Sequence, residues 1–300
     1  MSFAVGLKTI VVATDLDGRS GAALEYARKI AAVYGSRIVL AHGLDPMDYA
    51  AVDAVPGRVR NRLDEGARAV LDEMTADLIR EGIHSHSEVR QGVVAQMLLD
   101  VAKQYEAGLI AIGTRGRKGA GPLVVGAVAE EIVRHAPCAV LAVAEDWNAG
   151  ENRPVPGGPV LLAMERNEAA AAAAATACSL AEKFRRTLLV LHARRAAEAI
   201  AFLNPAAATL EEFGIEPAGR FPVRFIVKDG NPADTIDETI AQHHPSILVA
   251  GVKRASQTPG PHGTAYTVLA RSRVPVLCVP PDTRSTQEHA YDVSVHIEAR

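Results

Sequence analysis

The chain has 300 residues, enough for two domains of ordinary size. With 48% apolar residues, a net charge of −3 and no block of basic residues, it reads as a soluble globular protein with no nucleic-acid surface. Aromatic residues make up 4%, too few for base-stacking platforms.

The amino end reads MSFAVGLKTIVVATD; Lys8 and Asp15 interrupt its apolar stretch, so it predicts neither a secretory signal nor a membrane span. Ile10 to Thr14 is a short apolar run, as expected of a strand covered on both faces. Ala23, Ala27, Ile30, Ala31 and Tyr34 then recur at helical spacing until Gly35. Arg37 to His42 predicts a second buried strand. Val59, Leu63, Ala67, Val70, Leu71, Met74 and Leu78 predict a long helix closed by Gly82. Ser85 to Arg90 is more polar and predicts an edge strand. Leu98, Val101, Ala102 and Tyr105 predict a third helix, and Leu109 to Ile112 a core strand. Val128, Ile132 and Ala136 mark a fourth helix ended by Pro137, and Cys138 to Val143 the fifth strand. Strands alternating with helices imply an α/β fold with a parallel sheet covered on both faces.

The pattern then repeats. TIVVATD around Asp15 is echoed by VLLAME around Glu165, and RIVLAH ending at His42 by TLLVLH ending at His192, both at an offset of 150. Gly92 and Gly230, Gly113 and Gly251, and Pro137 and Pro275 are each 138 apart, so the second copy is 12 residues shorter after its second strand. The Pro-, Gly- and Asn-rich stretch between the copies marks a boundary. The expected division is 1–146, a linker 147–159, a second copy 160–282 and a tail 283–300. Alanines 169–175 are read as plain helix. In the tail, Tyr291, Val293, Val295 and Ile297 alternate as in a strand, with disorder the other reading.

The chemistry concentrates in IGTRGRKGAGPLVVGAVAEE of the first copy. Gly113, Gly116 and Gly126 form a frame around a loop carrying Arg115, Arg117 and Lys118. Gly113 ends a core strand and Gly126 opens a helix. Glycines let backbone approach a phosphate, and free N–H groups at a helix start point toward it. In an open α/β sheet, ligands bind beyond the carboxyl ends of the strands where the strand order reverses. Asp15 leaves the first strand in that region and can accept hydrogen bonds from a ribose or a base amino group.

VVATD, the G-x2-G-x9-G frame and VRHAPCAVLAV together resemble universal stress proteins of the nucleotide-binding kind, and the resemblance spans both copies. It implies two Rossmann-like, doubly wound domains, each with a five-stranded parallel sheet. It also implies pairing through the fifth strands, here as an internal pseudo-dimer, with further dimerisation of the whole chain. By position it implies ATP held by Ala13, Thr14, Asp15, Ala41, Ile112, Gly113, Arg115, Gly116, Gly126, Ala127 and Val128. The family pattern has Ser or Thr after the last glycine, where this chain has Ala127; one lost neutral hydrogen bond weakens binding by about fivefold. The second copy departs further: Glu165 replaces the Asp, Arg254 stands where the first copy has Gly116, and Thr264 falls opposite Gly126.

The resulting expectation is an adenine-nucleotide-binding stress-response sensor in the cytoplasm, with no catalytic residues, metal, nucleic acid or membrane partner. A slow ATP hydrolase and a ligand-free interaction protein are the alternatives. G-x-S-x-G and the Lys-Ser/Thr ending of a phosphate-hydrolysing loop are absent. His42 and His192 are read as structural, and His84 and His86 as surface residues rather than ligands. His243 and His244 end a helix. Three scattered cysteines, Cys138, Cys178 and Cys278, suit core positions in a reducing compartment.

Overall fold

The computed structural model describes residues 6–16, 20–44, 57–114, 125–145, 147, 157–165, 167–194, 221–253, 264–272 and 274–281. Arg115, Gly116, Arg254 and the tail pattern lie outside them. The chain divides into two compact units, one running Leu7–Asn148 and the other made mainly of Ala149–Arg300.

In the first unit, β1 (Thr9–Ala13), α1 (Gly21–Tyr34), β2 (Arg37–Leu44), α2 (Gly57–Arg80) and β3 (Ser85–Gln91) run outward from the middle of the sheet. α3 (Val94–Gln104) then carries the chain back to β4 (Leu109–Gly113), and α4 (Ala127–His135) to β5 (Ala139–Val143). The order is β3-β2-β1-β4-β5, and every pairing is parallel. The direction of winding reverses between β1 and β4. Right-handed crossovers therefore place α1 and α2 on one face and α3 and α4 on the other.

Local chemistry explains the element ends. Gly35 closes α1 in the left-handed region at φ 67°, a conformation open to glycine without steric cost. β1 and β4 are apolar because both faces are covered; Ile10, Val11, Val12, Leu109, Ile110 and Ala111 are all inaccessible to solvent. β3 is half-buried along most of its length, as its polar sequence requires at an edge. Two apolar positions depart from the sequence pattern. Val128 is 41% exposed because the buried stripe of α4 runs through Ala129, Ile132 and Val133. Val70 is also exposed, the face of α2 turning instead on Ala67, Leu71 and Leu78.

The second unit repeats the plan with β6 (Val160–Met164), α5 (Ala170–Phe184), β7 (Leu188–Arg194), β8 (Val223–Asp229), α6 (Pro232–His243), β9 (Ile247–Gly251), α7 (Thr264–Arg271) and β10 (Val276–Val279). Its order is β8-β7-β6-β9-β10, again all parallel. α6 starts with Asn231, whose side chain accepts from the Ala233 N–H, followed by Pro232. Alanines on α5 pack at the sheet surface, with Ala173, Ala174 and Ala177 buried. Among the described residues, no helix is long and apolar enough to cross a membrane.

Candidate functional site

The site is built where winding reverses, at the carboxyl ends of β1 and β4. The Thr14 N–H donates to the Ala41 carbonyl at 3.0 Å, extending the β1–β2 ladder by one residue. Ala41 is 1% exposed and contributes that carbonyl rather than a side-chain surface. Gly43, two residues on, is the partly exposed position at the strand's end. A Cβ there would come within 2.9 Å of Met97 Cε and 3.0 Å of Val94, so α3 packs directly on its backbone. His42, only 8% exposed, donates its Nδ1–H to the Thr14 carbonyl at 2.7 Å. A carbonyl cannot donate, so this bond fixes the tautomer.

After Thr14 the chain turns sharply. Leu16 adopts φ 61°, a left-handed conformation that costs a non-glycine residue about 1 kcal/mol or more. Its N–H is held by Thr14 Oγ1 at 3.2 Å. Asp15 is half-buried beside it, and its Oδ1 accepts from the Ser20 hydroxyl at 2.8 Å and the Ser20 N–H at 3.3 Å. Sequence reasoning passed over Ser20. A serine ahead of an apolar helix is a start signal, and nothing in that signal points to a partner five residues back.

On the β4 side, Ile112 is buried and Gly113 half-exposed. The Thr114 N–H donates to the Val143 carbonyl at 3.0 Å, and the Gly126 N–H donates to the Thr114 carbonyl at 2.9 Å. This last bond closes a neck between the end of β4 and the start of α4, so the two meet although residues 115–125 separate them in sequence. Gly126 is extended (φ −62°, ψ 143°) and has no side chain to cap the helix, while Ala127 and Val128 are exposed on the first turn. The first-turn N–H groups and the helix dipole favour an anion there. Glu130 opposes this, but Arg134 pairs with it at 2.7 Å. Ala13, Thr14, Asp15, Ile112, Gly113, Gly126, Ala127 and Val128 are thus brought to one end of the sheet. Ala41 stands beside Ala13 at the same level of the β1–β2 ladder, with its side chain buried, and Arg115 and Gly116 lie outside the described residues.

The second unit keeps Ala163 and Gly251 at the places of Ala13 and Gly113 but differs around them. Glu165 is exposed, where Asp15 is half-buried. The Asn167 side chain accepts from the Ala169 N–H at 2.9 Å, and this turn lies over the end of β9. A Cβ on Gly251 would meet Ala169 Cβ at 3.1 Å and Asn167 Oδ1 at 3.2 Å, so the chain itself covers the strand end that matches Gly113.

Other polar features lie elsewhere. A cleft of about 570 Å³ lined by Glu25, Arg28, Lys29, Glu81 and His84 sits at the amino ends of β2 and β3. Its charges are already paired, Arg28 with Glu81 at 3.2 Å and Lys29 with Glu25 at 3.4 Å. Burial pushes the thiols of Cys138 and Cys278 up to about 12, and burial with the Glu182 charge does the same to Cys178, so all three are neutral core groups. Among the described residues, no group of three or more His, Cys, Asp or Glu side chains is gathered to hold a metal ion.

The model of the universal stress protein family matches residues 6–144 and again 158–280. A universal stress protein of Methanocaldococcus jannaschii is 28% identical over 138 residues, covering 45% of this chain and 81% of that protein. One from Mycolicibacterium smegmatis is 26% identical over 190 residues, covering 61% and 63%. Among solved structures, a universal stress protein from Archaeoglobus fulgidus superposes with a TM-score of 0.73 at 19% identity, covering 92% of this chain and 99% of that one.

Proposed function

The chain belongs to the universal stress protein family, and from that membership we propose that its first domain binds an adenine nucleotide, with ATP the ligand to test first. In this reading the protein is a cytoplasmic stress-response sensor rather than an enzyme, and the tandem chain dimerises. The observation that carries the proposal is the closed neck between Thr114 and Gly126, opposite the Asp15 turn. It sets an anion-favouring helix start and a carboxylate acceptor on either side of the winding reversal. Phosphate oxygens match the first turn of α4, and a ribose hydroxyl or base amino group matches Asp15.

Hydrolysis would need a second carboxylate or a water-orienting group beside Asp15; Glu130 on the first turn of α4 is paired with Arg134, and Asp17 lies outside the described residues. Ala127 favours one competing reading, a relic site that binds nothing, because it removes a hydroxyl from the helix start. Native mass spectrometry of freshly purified protein tests the proposal. Bound ATP supports the sensor. ADP accompanied by turnover supports a hydrolase, and protein that carries no nucleotide and takes none up supports the relic.

A further inference from the structure

α1 opens on Ser20, yet the side chain of this residue makes no capping bond to its own helix. A serine in that place ordinarily accepts from an N–H two or three residues on. Here the backbone is already helical (φ −79°, ψ −4°), and the hydroxyl is turned back across the β1–α1 connection. It donates to Asp15 Oδ1 at 2.8 Å and accepts from the Asp15 N–H at 3.3 Å, while the Ser20 N–H adds a second bond to the same Oδ1. Thr14 Oγ1 lies 3.2 Å from the same hydroxyl. A serine has one proton, and the charged carboxylate oxygen is the nearer and stronger acceptor, so the Thr14 hydroxyl supplies the proton on its own contact. Ser20 is thus tied to both Thr14 and Asp15, and the Leu16 N–H is held on the same Thr14 hydroxyl.

The two oxygens of Asp15 are thereby made unequal. Oδ1 takes both Ser20 donors, and no described residue donates to Oδ2. We infer that Ser20 is a positioning residue, which fixes the Asp15 carboxylate in one orientation and leaves Oδ2 as the acceptor for a donor group of the bound nucleotide. The inference rests on the nucleotide reading of this site. The second domain provides the contrast within one chain. Its counterpart of Ser20, at an offset of 150, is Ala170, and there the acidic residue, Glu165, stands exposed.

A double-mutant cycle on ATP affinity, read by calorimetry, tests this. Ser20→Ala is expected to weaken binding by about fivefold and Asp15→Ala by about tenfold or more, the second removing a charged acceptor. If Ser20 acts through Asp15, the double variant binds no more weakly than Asp15→Ala alone. Ser20→Gly removes the hydroxyl while suiting a helix start, and is expected to match Ser20→Ala. Losses that simply multiply, or Ser20 variants with wild-type affinity, overturn the inference and leave the nucleotide reading standing. A wild-type chain that binds no ATP overturns both.

Discussion

His42 and Thr14 are joined by a 2.7 Å hydrogen bond from the His42 Nδ1–H to the Thr14 carbonyl oxygen, with both residues buried. The bond ties the end of β2 to the residue from which the Asp15 turn departs. His192 occupies the matching place in the second domain, is partly exposed, and makes no such bond among the described residues. His42→Ala leaves a buried carbonyl without its donor and is expected to cost about 1–3 kcal/mol. His192→Ala is expected to cost less than about 0.5 kcal/mol. Urea unfolding of the two variants measures the difference. Equal losses would show that the bond contributes nothing of its own.

Ala127 tests where phosphate lies. It is exposed on the first turn of α4, next to Gly126. Ala127→Ser adds a hydroxyl beside the N–H groups of that turn, and ATP affinity is expected to rise by about fivefold, the scale of one added hydrogen bond. Adenosine has no phosphate, so its affinity is expected to stay level. Parallel titrations of the two ligands decide the matter, and equal gains would move the phosphates away from α4.

The fold was legible because two signals agreed: strand and helix periods alternating along the chain, and the same alternation returning at fixed offsets. Short apolar runs such as those at Ile10 and Leu109 are unambiguous when both faces of a sheet are covered. What the sequence hid is tertiary in origin. Val128 fits a helical stripe by spacing, but burial is decided one residue away at Ala129. Ala41 was expected at the site as a strand end; it pairs with Ala13 there, but β2 runs on to Leu44, a length that the sequence pattern did not mark. Ser20 has the composition of a helix cap, and only the turn at Leu16 brings its hydroxyl back to Asp15.

At the edge of the first sheet, Tyr105 donates its hydroxyl hydrogen bond to Glu88, and Arg90 reaches the same carboxylate at 3.2 Å. Burial pushes the Glu88 carboxyl upward, but the bonds from Tyr105 and Arg90 and the Arg90 charge outweigh it and hold it below its ordinary value of 4.5. The bond to Glu88, with burial, raises Tyr105 above its ordinary 10.0. Glu88 therefore contributes stability above its unfolded value that is lost as pH falls through the lowered folded value. The Tyr105 contribution is present below its unfolded value and is lost as pH rises through the raised one. Tyr105→Phe is expected to cost about 1 kcal/mol at neutral pH, with the gap to wild type closing in acid. Denaturant midpoints across that range check it, and a gap independent of pH would assign the effect to packing against His86 and Arg37 instead.

The two domains are expected to be unequal in binding, with one nucleotide site per chain. In the first domain, Asp15 is anchored by Ser20, and the Gly126 helix start closes onto Thr114. In the second, the turn from Asn167 to Ala169 lies on Gly251, close enough that even a methyl group there would have to displace it. A ligand entering that crevice in the same way must first move this turn and break the Asn167–Ala169 bond. Glu165 points the same way, since an exposed carboxylate gains little from a hydrogen bond that water already supplies. Glu165→Ala is therefore expected to leave ATP affinity within about twofold of wild type, whereas Asp15→Ala lowers it by about tenfold or more. Calorimetric titration of the intact chain gives the stoichiometry directly. Two sites of equal affinity, or a loss at Glu165 comparable to that at Asp15, would mean that the turn over Gly251 opens readily and that both copies are working sites.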